Sequence, residues 1–409
     1  MVKSPSADSG RLQSDLAALA EFRDPESPGW TRKVFSPPFL RSREWLLQRM
    51  RDAGLTVHRD PAGNLIGTLA GPRPALVSGS HTDTVEGGGR FDGPVGVLAA
   101  LEVARSIQQS GVTLRHELRV VDYLGEEPND FGMSCIGSRA IAGSLTAEHL
   151  GLRDQSERTL AEAIASAGGD PARIGDAAWK QGEVAAAVEL HIEQGPVLED
   201  AGVPLAIVTG IVGIERLTAT FDGQADHAGT TPMDRRHDAL SAAAEAVLAL
   251  ERLAAHGGGV SNTGKIAAEP GALNVVPGHV RIWVELRSIE AQWLDEQHAR
   301  FEEAAREAGR RRGVGVEVAV LSRTEPVITS DVVRSAMKSA ADGLGLRHLT
   351  LPSGAGHDTG HMAGLGPVGM LFVPSAGGRS HCPEEWTSPE QLEAGASALL
   401  ATLLELDRQ

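Results

Sequence analysis

Apolar and polar positions follow two rhythms along the chain, and the change between them marks out its regions. From about residue 10 to 210, stretches at helical spacing alternate with short apolar runs. "FLRSREWLLQRMRDAG" repeats apolar residues three and four apart and stops at Gly54, which predicts a helix. "LTVHRDPAGNLIGTLAG" reads as a hairpin turning at Pro61-Ala62-Gly63-Asn64. "ALVSGSH", "HELRVVDYLGEE" and "EVAAAVELHIEQG" read as buried strands, and "GPVGVLAALEVARSIQQSG" as a helix ending at Gly111. Strands separated by helices predict a mostly parallel sheet, mixed in part, with helices on both faces. Ligands of such sheets sit beyond the carboxyl ends of the strands.

The middle of the chain differs. "IERLTATFDGQ" alternates like a half-buried strand, and "RHDALSAAAEAVLALERLAAHGGG" reads as a helix. "GKIAAEPGALNVVPGHVRIWVELRS" reads as two strands with a turn at Pro277-Gly278. "EAQWLDEQHARFEEAAREAGRRRG" is a charged helix and "VGVEVAVLSR" a closing strand. The order βαββαβ is that of a ferredoxin-like α+β unit. The α/β pattern resumes in "DVVRSAMKSAADGLG" and "VGMLFVPS". The expected organisation is a discontinuous α/β domain, 1–213 and 326–409, carrying an inserted domain at 214–325. Two domains also suit 409 residues, a length beyond which a single core stops growing.

Charge narrows the partners. With 38 Lys and Arg against 54 Asp and Glu, the net charge is -16. That argues against nucleic acid or an anionic membrane as the main partner. A small anionic substrate stays compatible, because one arginine or metal overrides the overall field locally. Cys135 and Cys382 cannot build a disulfide framework, which suits a reducing cytoplasm. The opening "MVKSPSADSG" has no apolar signal core, and no apolar run reaches membrane-spanning length. A cytoplasmic protein is expected.

Candidate chemistry collects where strands are expected to end. His81 follows "ALVSGS", and Asp92 lies in the glycine-rich "VEGGGRFDGP". Glu126 and Glu127 follow "VVDYLG", His191 lies in "ELHIEQG", and His381 in "GGRSHCPEEW". Each alone is weak, but a parallel sheet brings such ends to one edge. Imidazoles and carboxylates without thiolate suit zinc, manganese, cobalt or nickel better than a cysteine-rich structural zinc site does. One carboxylate can bridge two ions about 3.5–4 Å apart, as in two-metal hydrolases. Glycines around Asp92 allow close backbone approach, and Asp83 could orient His81 through its second ring nitrogen.

The segments "GSHTDTVEGGGRFDGPVGVLAALE", "LGEEPNDFG", "ELHIEQGPVLE", "GQADHAGTTPMDRRHDA", "NVVPG" and "SGAGHDTGHMA" resemble the M20-type metallopeptidase clan. Within it they resemble the amidase, hydantoinase/carbamoylase group: allantoate amidohydrolases, N-carbamoyl-L-amino-acid hydrolases and β-ureidopropionases. The resemblance runs from about residue 10 to the C-terminus, with the motifs in order. It implies two divalent metal ions per subunit, zinc foremost, one held by His81 and His191 and the other by Glu127 and His381. Asp92 would bridge them, and Glu126 would be the general base. It further implies a homodimer formed through the inserted domain, with His227 as a transition-state donor to the other subunit's site. Asn274, Gln194 and Arg287 would bind substrate, the arginine by clamping a carboxylate.

The implied activity is hydrolysis of a linear C–N bond in an N-carbamoyl amino acid, allantoate or a related ureido or amide compound. An aminoacylase or dipeptidase of the same clan is one alternative, and a metal-binding protein without catalysis another; the presence of Glu126 argues against the latter. Three loops depart from the group's pattern. "EEPNDFGMSCIGSRA" stands where many relatives carry Gly-x-Arg-Phe, "SHCPEEWT" carries Cys382 and Trp386, and "GAGHDTGHMA" adds His361 near His357 and Asp358. These changes leave the expected metal set intact and bear on the substrate.

Overall fold

Long apolar runs become central strands. In the computed structural model, which describes residues 5–409, Ala75–His81 and Val368–Val373 are buried along their whole length. Residues 1–4 of the polar N-terminal segment lie outside the described residues. The chain forms two compact units. The first comprises the chain up to Thr209 with Thr329–Leu351 and His357–Gln409; the second comprises Gly210–Ile328 with Pro352–Gly356.

In the first unit the sheet order is Thr56–Arg59, Leu65–Leu69, Glu117–Tyr123, Ala75–His81, Val184–Ile192, Val368–Val373, Leu205–Ile211. The central four, from Glu117–Tyr123 to Val368–Val373, are parallel; Thr56–Arg59 with Leu65–Leu69, Leu65–Leu69 with Glu117–Tyr123, and Val368–Val373 with Leu205–Ile211 pair antiparallel. The sheet is therefore mixed, with a parallel core narrower than the strand-helix alternation predicts. Its outer pairings come from the hairpin at Pro61–Asn64 and from a strand that returns beside Val368–Val373. Parallel strands share one carboxyl-terminal edge. His81, the turn after Tyr123, His191 and the loop after Val373 all leave the sheet there.

Helices cover the strands as their apolar stripes require. The helix Pro94–Ser110 starts with proline at its first turn and ends at Gly111 in the left-handed conformation. With Ser9–Ala20, Asp331–Gly343 and Pro389–Arg408 it packs into one core that includes Leu16, Leu98, Leu190, Met337 and Leu399. Several short helices between 136 and 177 enclose a second cluster around Phe39, Ile136 and Leu160. These short helices and Ser9–Ala20 are absent from the sequence reading. The short ones span too few turns to set up a periodicity.

The second unit is an antiparallel sheet ordered Gly315–Thr324, Gly213–Asp222, His279–Ser288, Val260–Glu269. Helices Ala239–Ala254 and Ala291–Arg312 pack on it, with Leu217, Phe221, Ile282, Ala243, Leu250 and Phe301 in its core. The strand expected from Gly264 begins at Val260, paired with Arg287. Its polar start, "VSNT" after three glycines, looks like a turn in sequence. Among the described residues, no helix is long and apolar enough to cross a membrane.

Phe301 is fully buried at the centre of this cluster. Phe301→Ala should therefore lower stability by about 3–5 kcal/mol, read as a fall in the denaturant midpoint. An unchanged midpoint would show that this core is not what holds the second unit together.

Candidate metal centre

Asp92 is the hub of the first unit's polar cluster. It follows the glycine loop and precedes Gly93, the N-cap of Pro94–Ser110, and its side chain is almost wholly buried. His191 Nε2 lies 3.2 Å and His81 Nε2 3.7 Å from its Oδ1; His381 Nε2 lies 3.1 Å from its Oδ2. His381 Nε2 also approaches Glu127 Oε1, at 3.4 Å. Two groups of donor atoms result, His81–Asp92–His191 and Asp92–Glu127–His381, and Asp92 belongs to both.

The surroundings prepare these side chains as ligands. His81 Nδ1 lies 3.0 Å from the Asp83 carbonyl and His191 Nδ1 2.9 Å from the Ile192 carbonyl. A carbonyl accepts only from N–H, so both rings carry hydrogen on Nδ1 and present Nε2 inward. Asp83 thus orients His81 through its backbone carbonyl. Its buried carboxylate instead accepts from the amides of Glu126, at 3.3 Å, and Glu127, at 3.2 Å. That fixes the turn bearing the two glutamates. The donor set, imidazoles with carboxylates and no thiolate, fits divalent zinc, manganese, cobalt or nickel.

Charge is concentrated here. Burial opposes ionisation of Asp92, but bonds to His191 and His381 and their charge hold its carboxyl well below the usual range. In return, hydrogen bonding to Asp92 raises His381 to about 9; the same partner overcomes burial to raise His191 to about 9. Burial pushes His81 down, which favours the neutral ligating form. Burial and then the Asp92 charge raise Glu127 to about 8. Glu126 is pushed well above the carboxylate range by burial and by Glu127, Asp358, Asp83 and Asp92. Its Oε2 lies 3.6 Å from His81 Nε2, and the Cys135 thiol approaches its Oε1 at 3.6 Å.

Several residues in this cluster are missing from the sequence reading. Glu385 Oε1 accepts from the amides of Phe91, at 2.8 Å, and Asp92, at 3.1 Å, while its Oε2 accepts from Ser380. Ser380 also donates to Asp92 Oδ2 at 2.8 Å. The only sequence signal is position: Ser380 and Glu385 flank His381 in a polar loop after a buried strand. Gln194, expected to face substrate, donates its amide to Asp92 Oδ2 at 2.6 Å. Gln194, His381 and Cys135 all have positive φ, at 61°, 55° and 56°. Such strain concentrates at functional positions. A third donor group, Glu189–His191–His357, lies beside the first. Glu189 already accepts from Ser80 Oγ, at 2.6 Å, and the Thr359 amide, at 3.2 Å. His361, nearby in sequence, is pushed down to about 4 by burial.

The second unit holds the remaining candidates. Val275 pairs with His227, and the Asn274 carbonyl accepts from the Ala228 amide, so Asn274 and His227 are neighbours. His227 Nδ1 accepts from the amides of Gly229 and Thr230, at 3.1 and 3.2 Å, which puts its proton on Nε2. The ring is exposed and offers that N–H outward. Arg287 is not free on all sides: Nε donates to Glu285 at 2.7 Å and Nη1 to the Gly354 carbonyl at 2.9 Å.

Gly93 shows how tightly the cluster is built. Its φ is +81°, and an added Cβ would lie 2.5 Å from His81 Nδ1. Gly93→Ala should displace the His81 ring and lower metal content, measured by elemental analysis, while the chain stays folded by circular dichroism. Full metal content in that variant would remove His81 from the centre.

Residues 77–405 match the model of Peptidase family M20/M25/M40. The chain is 42% identical to an N-carbamoyl-L-amino acid amidohydrolase of Geobacillus stearothermophilus, over 97% of this chain and 98% of that one. It is 37% identical to an N-carbamoyl-L-amino-acid amidohydrolase of Paenarthrobacter aurescens, over 98% and 99%. A solved hydantoinase/carbamoylase family amidase from Burkholderia multivorans superposes with a TM-score of 0.89 at 32% identity, covering both chains completely. On this match, over most of its length, the chain belongs to the M20/M25/M40 peptidase family.

Proposed function

We propose that this chain is a binuclear metal-dependent amidohydrolase that cleaves a linear C–N bond of an N-carbamoyl amino acid, allantoate or a related ureido compound. One observation carries the reading: a single buried carboxylate, Asp92, is shared by two groups of metal-type donors, with Glu126 alongside. The similarity to N-carbamoyl-amino-acid amidohydrolases supplies the substrate class. His81 and His191 would hold one cation and Glu127 and His381 the other, with Asp92 between; zinc suits this set best, with manganese, cobalt or nickel able to replace it. When bound, the cations polarise the scissile carbonyl and lower the pKa of water.

The protein groups supply the remaining chemistry. Glu126 takes the proton from the attacking water. The carbonyl carbon gains that oxygen, the C–N bond breaks, and Glu126 returns the proton to the departing nitrogen. The Asp83 carboxylate, by fixing both amides of the glutamate turn, keeps Glu126 beside His81. Gln194 steadies Asp92 and faces substrate with its remaining amide capacity. His227 donates Nε2–H to the oxyanion, Asn274 binds substrate beside it, and Arg287 holds the substrate carboxylate through its Nη2 side.

The proposal includes a catalytic domain of 1–213 and 326–409 and a dimerisation insert at 214–325, with each His227 serving the partner subunit's centre. The outer strands Val260–Glu269 and Gly315–Thr324 leave free edges in their sheet among the described residues, which favours pairing with an identical copy. Free Cys135 and Cys382 fit a reducing cytoplasm.

Ammonia release from a panel of N-carbamoyl amino acids, allantoate and ureidopropionate, beside N-acyl and dipeptide controls, tests the substrate class. Turnover confined to the controls would overturn it. Glu126→Gln should keep metal and fold but lower kcat by at least about 10²-fold, whereas Glu127→Gln should lower metal content. The opposite pattern would exchange the two roles.

Arg287→Lys should reduce, and Arg287→Ala erase most of, a preference of about tenfold or more for acid over amidated substrate, since a charge-assisted hydrogen bond is worth roughly 1.5–3 kcal/mol. Equal treatment of acid and amide by wild type and variant would leave Arg287 a structural charge.

A further inference from the structure

A cavity of about 180 Å³ opens on the first unit between the helix Ser9–Ala20, the glycine loop and the segment around Trp386. Leu16, Phe91, Trp386 and Leu392 give it mainly apolar walls, and Arg90 lines it as well. The Arg90 guanidinium sits 4.9 Å from the Trp30 ring, 5.2 Å from Phe91 and 5.0 Å from Trp386, measured to the ring centroids. Phe91 and Trp386 themselves meet edge to face at 5.5 Å. Aromatic faces attract the cation and hold its plane, but they satisfy none of its N–H groups.

The Arg90 Nε is buried without a hydrogen bond, and among the described residues no carboxylate pairs with this guanidinium. This is conspicuous in a chain carrying 54 acidic residues. The buried Arg32 and Arg105, by contrast, find backbone carbonyls or a carboxylate. Arg90 is half-buried, and its buried Nε is left with unused donor capacity. An apolar pocket with one planar, preorganised cation is complementary to a ligand with an apolar body and one anionic group.

We propose that this cavity is a second ligand site, distinct from the metal centre, that takes a small amphipathic carboxylate. Its apolar body, a single aromatic ring or a short alkyl chain, lies against Leu16 and Leu392, and its carboxylate meets the Arg90 guanidinium. The volume suits this class, since a dry apolar cavity of about 150 Å³ accommodates benzene. The site lies one residue from the centre on each side. Phe91 precedes Asp92, and Trp386 follows Glu385, whose carboxylate accepts from the Phe91 and Asp92 amides. A bound ligand therefore braces the loop that carries the shared carboxylate.

Sodium benzoate is the probe, with benzamide as its uncharged counterpart. Binding is followed by calorimetry and tryptophan fluorescence on metal-replete protein, and again after chelation. Benzoate should bind saturably in both, and at least about tenfold more tightly than benzamide, the factor expected for a charge-assisted hydrogen bond. Arg90→Met keeps the packing of the stem and should abolish this binding; Arg90→Lys should weaken it. Ala17 is exposed at the cavity mouth, so Ala17→Trp should block binding without touching Arg90, which covers the case in which Arg90→Met misfolds. Absence of saturable binding, equal affinity for benzamide, or undiminished binding by folded Arg90→Met or Ala17→Trp would overturn the site. Loss of all binding on chelation alone would assign the benzoate to the metal centre instead.

Discussion

The Asp92 carboxylate is the constraint on which the first unit's polar architecture depends. A charge removed from water needs several strong partners, and this one has them on both oxygens. His191 lies against Oδ1, while His381, Gln194 and Ser380 converge on Oδ2. Its own backbone is tied to Glu385. Three segments far apart in sequence, the glycine loop, residues 191–194 and residues 380–385, are thus drawn to one point at the carboxyl edge of the parallel strands. Gln194 and His381, both in the left-handed backbone region, are among the residues that reach Asp92.

Around this point the chain separates tasks that one set of carboxylates could confuse. Asp92 is held ionised by its imidazole partners, whereas Glu126 and Glu127 are pushed the other way by burial and by neighbouring negative charge. Carboxyl groups with opposed environments are the usual basis for dividing charge stabilisation from proton transfer. Asp83 contributes without entering the centre, since its carboxylate spends its acceptor capacity on the glutamate turn. In the proposed mechanism, proton uptake by Glu126 and cation binding by Glu127 are then neighbouring jobs set one backbone step apart.

Much of this is legible in the sequence, for identifiable reasons. His81, Asp92, the Glu126–Glu127 pair, His191 and His381 each follow an apolar run or lie in the loop after one, and parallel strands bring such positions together. The ferredoxin-like order of the second unit is readable because its two central strands, Gly213–Asp222 and His279–Ser288, alternate cleanly and its helices are long. What escapes the sequence depends on contacts between distant segments. Nothing in "CPEEWT" says that Glu385 and not Glu384 reaches the amide of Asp92, nor that Trp386 closes over Arg90. The Glu285 bond to Arg287 links residues two apart on one strand face, so alternation could have suggested it. The choice of Asp83's carbonyl over its carboxylate as the partner of His81 is a matter of backbone geometry that residue types do not encode.

If Asp92 is the shared ligand, both cation positions fail together when it is altered. The most direct measurement is metal stoichiometry by native mass spectrometry and elemental analysis, on chelated protein reloaded with zinc, for wild type and Asp92→Asn. The account predicts two ions per wild-type chain and close to none in the variant, with both chains folded by circular dichroism. A variant that loses one ion and keeps the other, or keeps both, would contradict the shared carboxylate.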